Sequence, residues 1–311
     1  MKLSAAALCL SVLSCGSIAT AADAPQSMTL HLSKAEDAKT NQLLQYRIDL
    51  LTAALGAVGV KATVEGCKDV DARSADRRIS MAVIQGEGCD VIATSAGGEN
   101  TAGLTPVPVP IYLGGGGIRA LLMTPNSLKK THPPLELAGL QKLSVGSGTT
   151  WADTPIMEAN GIHVEKSPVY QQLFVMLRKE RFDALNRGIF EVGPELAGIA
   201  AGGIVLEPSA VIQYGQYGTD LFFYVSPKNT QLRDLLARGM KQLYCSGQLH
   251  QMLKSHPSNR DMWALVKPDQ RSVITLKVPD VITKEEKKAL SEYGTGWKAA
   301  GPSRQVCADG A

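Results

Sequence analysis

The sequence lacks the short motifs that mark common catalytic and metal sites. It contains no Cys-x-x-Cys, no His-Glu-x-x-His and no Gly-x-Ser-x-Gly, so it gives no sign of these zinc sites, of thiol-redox chemistry or of a hydrolase nucleophile elbow. Its five histidines show no metal-ligand spacing, and His163 lies in an apolar segment that is typical of a structural histidine. We therefore expect no enzyme activity, no metal and no cofactor.

An excess of charge of one sign and a supply of aromatic rings are also missing. The chain has 32 Lys and Arg against 29 Asp and Glu, with five Phe and three Trp in 311 residues. No basic cluster is dense enough to follow a phosphate backbone, and few rings are available to stack on bases. We therefore expect no nucleic-acid partner. The length allows one large domain or two ordinary ones.

The apolar run at the N-terminus is too short to cross a membrane. Lys2 supplies a positive charge, Leu3–Leu13 is apolar, and Ala19–Ala21 offers an Ala-x-Ala cleavage site. A spanning helix needs about 20 apolar residues, so we interpret residues 1–21 as a cleaved secretory signal peptide and expect a periplasmic protein. Residues 12–15 loosely resemble a lipoprotein processing site, which leaves a lipid anchor at Cys15 as the alternative.

Cysteine is scarce once that segment is removed, since only Cys67, Cys89, Cys245 and Cys307 remain. An even number in an oxidising compartment favours two disulfides, for which three pairings exist. We prefer Cys67–Cys89 and Cys245–Cys307, because each pair lies on one contiguous stretch. Four buried free thiols are the alternative.

Strand and helix patterns alternate along the chain in two cycles. The first cycle predicts strands over 28–32, 60–64 and 89–94, with helices over 41–58 and 72–84 between them. The second predicts strands over 118–123, 143–145, 162–164, 182–185, 203–206 and 221–225, helices over 152–160 and after Ser167-Pro168, and a long helix from 229 or 230. This alternation is typical of parallel sheets covered by helices. The segment rich in Pro and Gly over 105–117 predicts a flexible crossing, and the part from Asp261 onward predicts a tail packed on the first unit.

Several segments resemble the type II periplasmic solute-binding proteins, in particular their amino-acid-binding members. Gly146–Asp153 resembles the Gly-Thr-Thr segment that opens their second lobe, and Tyr170–Leu177 with Arg181–Ala184 resembles the helix and strand that follow. Three further features are similar to a less studied branch of bacterial substrate-binding proteins: Arg187-Gly188, residues 106–119 and the extension over 261–297.

The resemblance implies an α/β fold of two lobes, each a mostly parallel sheet flanked by helices, with a cleft at the hinge. It implies that residues 22–117 and 219–311 form lobe 1 and residues 118–218 form lobe 2. By the same resemblance, a monomer closes its lobes on a small anionic or amino-acid-like solute for an ABC-type importer or a membrane sensor. An enzyme using the same cleft and a ligand-free accessory subunit remain as alternatives.

The best-supported ligand contact in the sequence is Gly148-Thr149-Thr150. A helix that starts there presents free N–H groups to an anion, although a plain helix cap is the alternative. Arg119 and Arg187 are the candidate cationic groups, since a guanidinium holds a carboxylate through two parallel hydrogen bonds. An ion pair with a carboxylate of the chain itself is the alternative for both.

Further candidates lie where predicted strands end, because ligands of parallel α/β sheets bind beyond the carboxyl ends of strands. These candidates are Ser33, Lys34 and Ser95. Glu99 is a candidate for an ammonium group or for Arg119, and Trp151 and Tyr112 are candidates for stacking, with core packing as the alternative for both rings. The loop over 95–101 has no Arg, and Arg187 stands where amino-acid binders place an acid after Arg181–Ala184. These departures argue against a standard α-amino acid as the ligand.

Overall fold

The computed structural model describes residues 26–33, 42–70, 76–217 and 219–308. The predicted signal peptide and Lys34 lie outside these ranges. The strands are β1 Gln26–Leu32, β2 Val60–Gly66, β3 Val91–Ser95, β4 Thr105–Pro106, β5 Ile118–Met123, β6 Ser144–Gly148, β7 His163–Ser167, β8 Ala184–Gly188, β9 Val205–Leu206, β10 Ala210–Tyr214, β11 Leu221–Val225 and β12 Ser272–Leu276. The helices are α1 Gln42–Ala57, α2 Asp76–Gln85, α3 Pro125–Leu128, α4 Leu137–Leu140, α5 Asp153–Ala159, α6 Tyr170–Arg178, α7 Ile189–Ala197, α8 Thr230–Cys245, α9 Gln248–Ser255, α10 Pro257–Val266, α11 Lys284–Tyr293 and α12 Arg304–Ala308. Within the described ranges, no helix combines the length and apolar character needed to cross a membrane.

The first sheet has the strand order β2-β1-β3-β11-β4, and its β1, β2 and β3 run parallel. Helix α1 packs on this sheet because Leu44, Leu51 and Leu55 recur on one face and are buried there. Helix α8 packs against α1 at Gly239, where a Cβ atom would lie 1.9 Å from the carbonyl oxygen of Ala54. The α1–α8 contact therefore requires glycine at this position.

The second sheet has the order β12-β10-β5-β8-β6-β7, with β9 also paired to β5. Strands β6, β7 and β8 run parallel, whereas β5 is antiparallel to both β8 and β10. Side chains alternate along β5, so that Ile118, Ala120 and Leu122 enter one apolar core while Leu121 and Met123 enter another on the opposite face. The predicted α/β architecture of two mostly parallel sheets flanked by helices is confirmed.

The C-terminal extension crosses between the two sheets. Strand β12 pairs parallel with β10 in the second sheet, so the expectation that all of 219–311 packs on the first lobe is wrong for 272–276. The physical reason is burial: Ile274 and Leu276 enter the core on one face of the second sheet, while Val273, which precedes them, is 48% exposed. Helix α11 then returns to the first unit, where Glu286 accepts a hydrogen bond from Tyr224 of β11.

The crossing rich in glycine is packed, contrary to the flexible loop that the sequence predicts. Residues 114–117 are buried, and Gly114 has φ 92° with the carbonyl oxygen of Gly294 only 1.8 Å from where a Cβ would lie. The carboxylate of Asp220, from the other crossing, accepts hydrogen bonds from the N–H of Gly114 at 2.6 Å and of Tyr112 at 3.2 Å. The two crossings are thus joined to each other and to the C-terminal extension.

Several boundaries differ from the sequence-based expectations. Ser167 ends β7 rather than capping a helix, and α6 begins only at Tyr170. The strand expected over 182–185 is shifted to β8, which puts Arg187 inside a strand and not beyond its end. Helix α7 and strand β10 were not predicted, and α7 contains the pair Gly193-Pro194 that usually interrupts a helix.

The preferred cysteine pairing is confirmed. Cys67 is bonded to Cys89 and Cys245 to Cys307, with Cα–Cα separations of 4.7 and 5.6 Å. The first bond links the residue that follows β2 to the loop just before β3. The second links α12 to the last residue of α8. Both bonds therefore lie outside the second sheet.

Candidate functional site

A cavity of about 190 Å³ lies between the two sheets, at the carboxyl ends of β1 and β3. We call it the polar cavity, because hydroxyl and charged side chains dominate its wall. The polar residues that line it are Ser33, Arg47, Thr94, Ser95, Asn100, Arg119, Thr150, Asp153, Arg187 and Glu191, with Trp151 beside them.

Six of the ten predicted ligand contacts line this cavity, namely Ser33, Ser95, Arg119, Thr150, Trp151 and Arg187. Three others, Gly148, Thr149 and Glu99, do not contribute to its wall, and Lys34 lies outside the described residues. The side chain of Glu99 is exposed and is not a partner of Arg119. Tyr112, the other aromatic candidate, packs in the core between Tyr46 and Phe190.

The backbone at Thr149 does not offer the free N–H group that the sequence predicts. This N–H donates to the carbonyl oxygen of Ser167 at 3.1 Å, because β6 extends to Gly148, where it pairs with Ser167 at the end of β7. Helix α5 begins only at Asp153, whose carboxylate lies at the helix start. Gly148 is needed for packing, since a Cβ there would lie 2.4 Å from the ring of Trp151.

Arg119 is held by a buried carboxylate of its own lobe. Its Nε lies 2.9 Å from Asp153 Oδ1, and its terminal nitrogen donates to Oδ2 at 3.2 Å. Oδ1 also accepts hydrogen bonds from Asn186 Nδ2 at 3.0 Å and from the hydroxyl of Tyr214 at 2.8 Å. The alternative of an internal ion pair therefore describes Arg119 in this structure.

Arg187 is enclosed by two carboxylates and two rings. Its Nε donates to Glu195 Oε1 at 2.8 Å, and a terminal nitrogen lies 3.0 Å from Glu191 Oε1. The guanidinium carbon lies 4.6 Å from the ring centroid of Trp151 and 5.4 Å from that of Tyr170, both within the range of cation–π attraction. Arg187 is therefore also satisfied by groups of the chain itself.

Glu191 joins the two arginine clusters. Its Oε2 accepts from the N–H of Gly188 at 2.7 Å and lies 3.6 Å from a terminal nitrogen of Arg119. Burial alone would raise the pKa of Glu191, but the charges of Arg187 and Arg119, with the Gly188 N–H, hold that pKa below its ordinary value. This carboxylate is thus kept ionised between the arginines.

Arg47 is the cationic residue that the sequence analysis did not identify. It projects from α1 of the first unit and lines the polar cavity. Its Nε is buried and has no hydrogen-bond partner within the described residues. Burial raises the pKa of the Tyr112 hydroxyl, and the charge of Arg47 and a side-chain hydrogen bond from Arg47 oppose that rise, so the guanidinium has a partner in Tyr112 although its Nε has none. The wall of the cavity therefore carries three arginines and two carboxylates, an excess of one positive charge.

Signals for the missed residues are present in the sequence. Leu44, Arg47 and Leu51 are spaced at three and four residues, which places a charge on the apolar face of α1. Arg187, Glu191 and Glu195 are each four residues apart, the spacing of ion pairs along a helix face. The sequence patterns predict no helix there, so this spacing did not point to ion pairs.

A second and larger cavity, of about 900 Å³, adjoins the first. We call it the apolar chamber. It lies between α1, α7 and α10, and its apolar lining consists of Leu43, Leu44, Phe190, Pro194, Ala197, Ile199, Pro257, Met262 and Leu265. Leu44, Arg47, Arg187 and Glu191 line both cavities, which makes them neighbouring parts of one cleft.

The carboxylates Asp153, Glu191 and Glu195 of this cleft are paired with arginines, and no histidine lies beside them among the residues that line it. All five histidines are described, and none of them lines either cavity. Within the described ranges, no group of three or more His, Cys, Asp or Glu side chains is arranged to hold a metal ion. The chemistry of the cleft is therefore that of arginine, carboxylate and hydroxyl groups.

Comparisons with solved structures show which fold this is. No family model and no curated protein matches the chain. A periplasmic binding protein of Salmonella typhimurium, described for its high arginine specificity, is 13% identical over 74% of this chain and 99% of that chain, with a TM-score of 0.51. A histidine kinase sensor domain with similarity to periplasmic binding proteins is 12% identical over 76% of this chain and 97% of that chain, also at 0.51.

A third solved structure, an amino acid ABC transporter substrate-binding protein from Streptococcus pneumoniae bound to L-arginine, is 12% identical. It covers 68% of this chain and 82% of that chain, with a TM-score of 0.50. Identities this low establish the architecture alone. The chain has the two-lobed fold of the periplasmic binding proteins.

Proposed function

We propose that the chain is a non-catalytic binding protein that captures a small anionic solute between its two lobes. The observation that carries the proposal is Arg47, a cation in the cavity wall whose Nε has no hydrogen-bond partner among the described residues. A buried polar group without a partner costs free energy, and an incoming carboxylate or similar anion removes that cost.

The size and position of the polar cavity support capture of a small molecule. Its volume of about 190 Å³ lies below the roughly 300–1,000 Å³ of sites for drug-sized ligands. One wall comes from the first sheet and α1, the other from the second sheet, α5 and α7. A solute that contacts both walls favours the closed arrangement of the lobes, and closure changes the outer surface that a partner recognises.

The partner in this proposal is an ABC-type importer permease or a membrane sensor, and the working compartment is the periplasm. Both follow from the expected signal peptide together with the resemblance to solute-binding proteins. The two disulfides support an oxidising compartment. The lobes we propose are residues 22–117 with most of 219–311, and residues 118–218 together with β12.

Native mass spectrometry of the freshly purified protein tests the proposal. We expect wild-type protein to carry a small-molecule adduct that Arg47→Gln loses. Arg260→Gln is the control, because Arg260 is an exposed arginine of α10 that is paired with its neighbour Asp261 and lines neither cavity. An unliganded mass for the wild type, together with no thermal stabilisation by any small organic or inorganic anion, overturns the proposal.

A ligand-free accessory subunit is the second candidate, and one observation favours it. Arg119 and Arg187, the two cations expected to bind a ligand, are both occupied by Asp153, Glu191 and Glu195 of the same lobe. In such a subunit, carboxylates of the chain itself would occupy the two arginines to which the carboxylate of a solute would otherwise bind. The same mass spectrum separates the candidates, because a ligand-free subunit shows no adduct in any variant.

A further inference from the structure

The apolar chamber continues the polar cavity at Arg47. Four residues belong to both walls, and two of them, Leu44 and Arg47, lie on α1. The chamber, at about 900 Å³, is several times larger than the polar cavity and reaches the upper end of the range for small-molecule sites. A ligand held at Arg47 can therefore extend into it.

Apolar side chains form about half of the chamber wall. Phe190 of α7 and Met262 of α10 are buried, while Leu265 is 39% exposed. Apart from Arg47, its polar groups are already engaged: Glu195 accepts from Arg187 and from the hydroxyl of Tyr170, and Ser258 bonds to His256. Asp261, exposed at the rim, pairs with Arg260. A polar extension of the ligand would find few partners here, whereas an apolar one would be removed from water.

The acidic groups of the cleft are likewise unavailable to an ammonium group. Asp153 is bound to Arg119, and Glu191 and Glu195 are bound to Arg187. The ammonium group of an α-amino acid lies next to its carboxylate, so it would enter the polar cavity, whose wall carries three arginines against two carboxylates. The electrostatics therefore favour an acid without an amino group.

We propose that the ligand is an amphipathic monocarboxylate, with its carboxylate at Arg47 and its apolar chain or ring in the apolar chamber between α1, α7 and α10. This inference rests on the proposed function and specifies its substrate class. Charge complementarity places the carboxylate of the ligand at Arg47. The shared wall of the two cavities directs the apolar part of the ligand into the apolar chamber.

Gly193 provides a selective way to fill the chamber. It lies on α7 in the chamber wall, and a Cβ there would meet only Leu265 Cδ2, at 4.0 Å. Gly193→Leu therefore adds volume to the chamber without touching Arg47. Gly56 on α1 is the matched control, because it is an exposed helical glycine and no other atom lies within 4 Å of the position that a Cβ would take.

The experiment is calorimetric titration of wild type, Gly193→Leu, Gly56→Leu and Arg47→Gln with sodium butanoate, hexanoate and octanoate, and with hexan-1-ol. For wild type and Gly56→Leu we expect about a fourfold gain in affinity for each added methylene. Gly193→Leu should weaken octanoate binding by roughly tenfold or more, yet change butanoate binding less than about twofold. Arg47→Gln should weaken all three carboxylates by roughly ten- to hundredfold, and hexan-1-ol should bind wild type as weakly as hexanoate binds this variant.

Two results overturn the inference and leave the proposed function intact: carboxylates that bind through Arg47 with no gain from chain length, or equal effects of Gly193→Leu and Gly56→Leu. Failure of the proposed function looks different. In that case no carboxylate binds the wild type at any length, and native mass spectrometry shows no adduct.

Discussion

At the scale of single residues, Asp153 organises the buried polar groups of the second lobe. Arg119, Asn186 and Tyr214 all direct polar atoms at its carboxylate, and Asp153 is only 6% exposed. Removing one member of a buried ion pair leaves the other charge without compensation in a medium of low polarity. Asp153 therefore contributes to the stability of the fold as well as to the wall of the cavity.

We predict that Asp153→Ala lowers the free energy of unfolding by about 3–5 kcal/mol, because it leaves Arg119 buried with only the more distant Glu191. Urea denaturation of the variant and the wild type measures this loss. Asp261→Ala, which removes an exposed carboxylate paired with Arg260, is the control and should leave the unfolding curve unchanged. Equal curves for the two variants would contradict the role assigned to Asp153.

The sequence located Arg119 and Arg187 in the cleft but did not reveal what occupies them. Both line the polar cavity as expected. Their partners are Asp153, inside the helix predicted over 152–160, and Glu191 and Glu195, where no helix was predicted. Arg47 was missed because an arginine among the leucines of an amphipathic helix is usually a solvent-exposed residue at the edge of the apolar face. Which polar atoms remain unsatisfied depends on contacts between distant segments, and residue spacing does not report these.

At the scale of elements, β12 shows how a short strand selects its sheet. Ile274 and Leu276 point into the core of the second lobe, whereas Val273 faces away from it. Asn160 fixes the end of the strand, because its side chain donates to the carbonyl oxygen of Lys277 at 2.7 Å and accepts from the N–H of Lys277 at 2.9 Å. Alternation over five residues predicts a strand of this kind but not the sheet that it joins.

We predict that Leu276→Ala lowers the free energy of unfolding by about 2–5 kcal/mol, because it leaves a cavity in the core of the second lobe. Val273→Ala, on the same strand, is the matched control and should change it by less than about 1 kcal/mol, because that side chain is half exposed. Chemical denaturation followed by tryptophan fluorescence gives both values. Similar losses for the two variants would mean that β12 contributes no buried face to this lobe.

The elements that the sequence predicted best are those with strong local signals. Strand β5 was predicted with its bounds, and α1 nearly so, because an apolar run and a three-to-four spacing are set by residues close in the chain. Helix α7 was missed because Gly193-Pro194 disfavours a helix locally. In the folded protein Ile189, Phe190 and Val192 are buried on one side of α7, and this packing outweighs the local preference.

At the scale of the whole molecule, Asp220 joins the two crossings between the lobes. Its carboxylate accepts hydrogen bonds from the N–H groups of Tyr112 and Gly114 in one crossing and of Leu221 in the other. Burial nevertheless raises the pKa of Asp220 to about 7, because the surrounding N–H groups only partly replace the lost water. The junction of the two crossings therefore contains a carboxyl group whose pKa lies near neutral pH.

The raised pKa predicts how stability depends on pH. Below pH 3.8, the ordinary value for this group, both folded and unfolded chains hold the proton, and up to about pH 7 only the folded chain does. The contribution of Asp220 to the free energy of unfolding therefore falls as the pH rises through this window, by roughly 4 kcal/mol in total. Urea denaturation at pH 5 and pH 8 should show a smaller difference between the two pH values for Asp220→Asn than for wild type. An identical difference in both proteins would contradict the assignment.

The sheets covered by helices followed from repeated strand–helix–strand patterns, which restrict the chain to a few topologies. Their arrangement in two lobes followed from the resemblance to the periplasmic solute-binding proteins. The cleft between the lobes did not follow in the same way. Its wall combines α1, α7 and α10, which are far apart in the sequence, and its charge balance depends on pairs such as Arg119 with Asp153. The fold was therefore predicted more completely than the site.

The most direct test of the central claim is a crystal structure of the protein grown with the solute that co-purifies with it. The account predicts density for one small anion in the cleft, with an acidic oxygen within hydrogen-bond distance of the Arg47 guanidinium and further contacts to the second lobe. Density for that solute at a site away from Arg47, or a cleft without solute at saturating concentration, would contradict it.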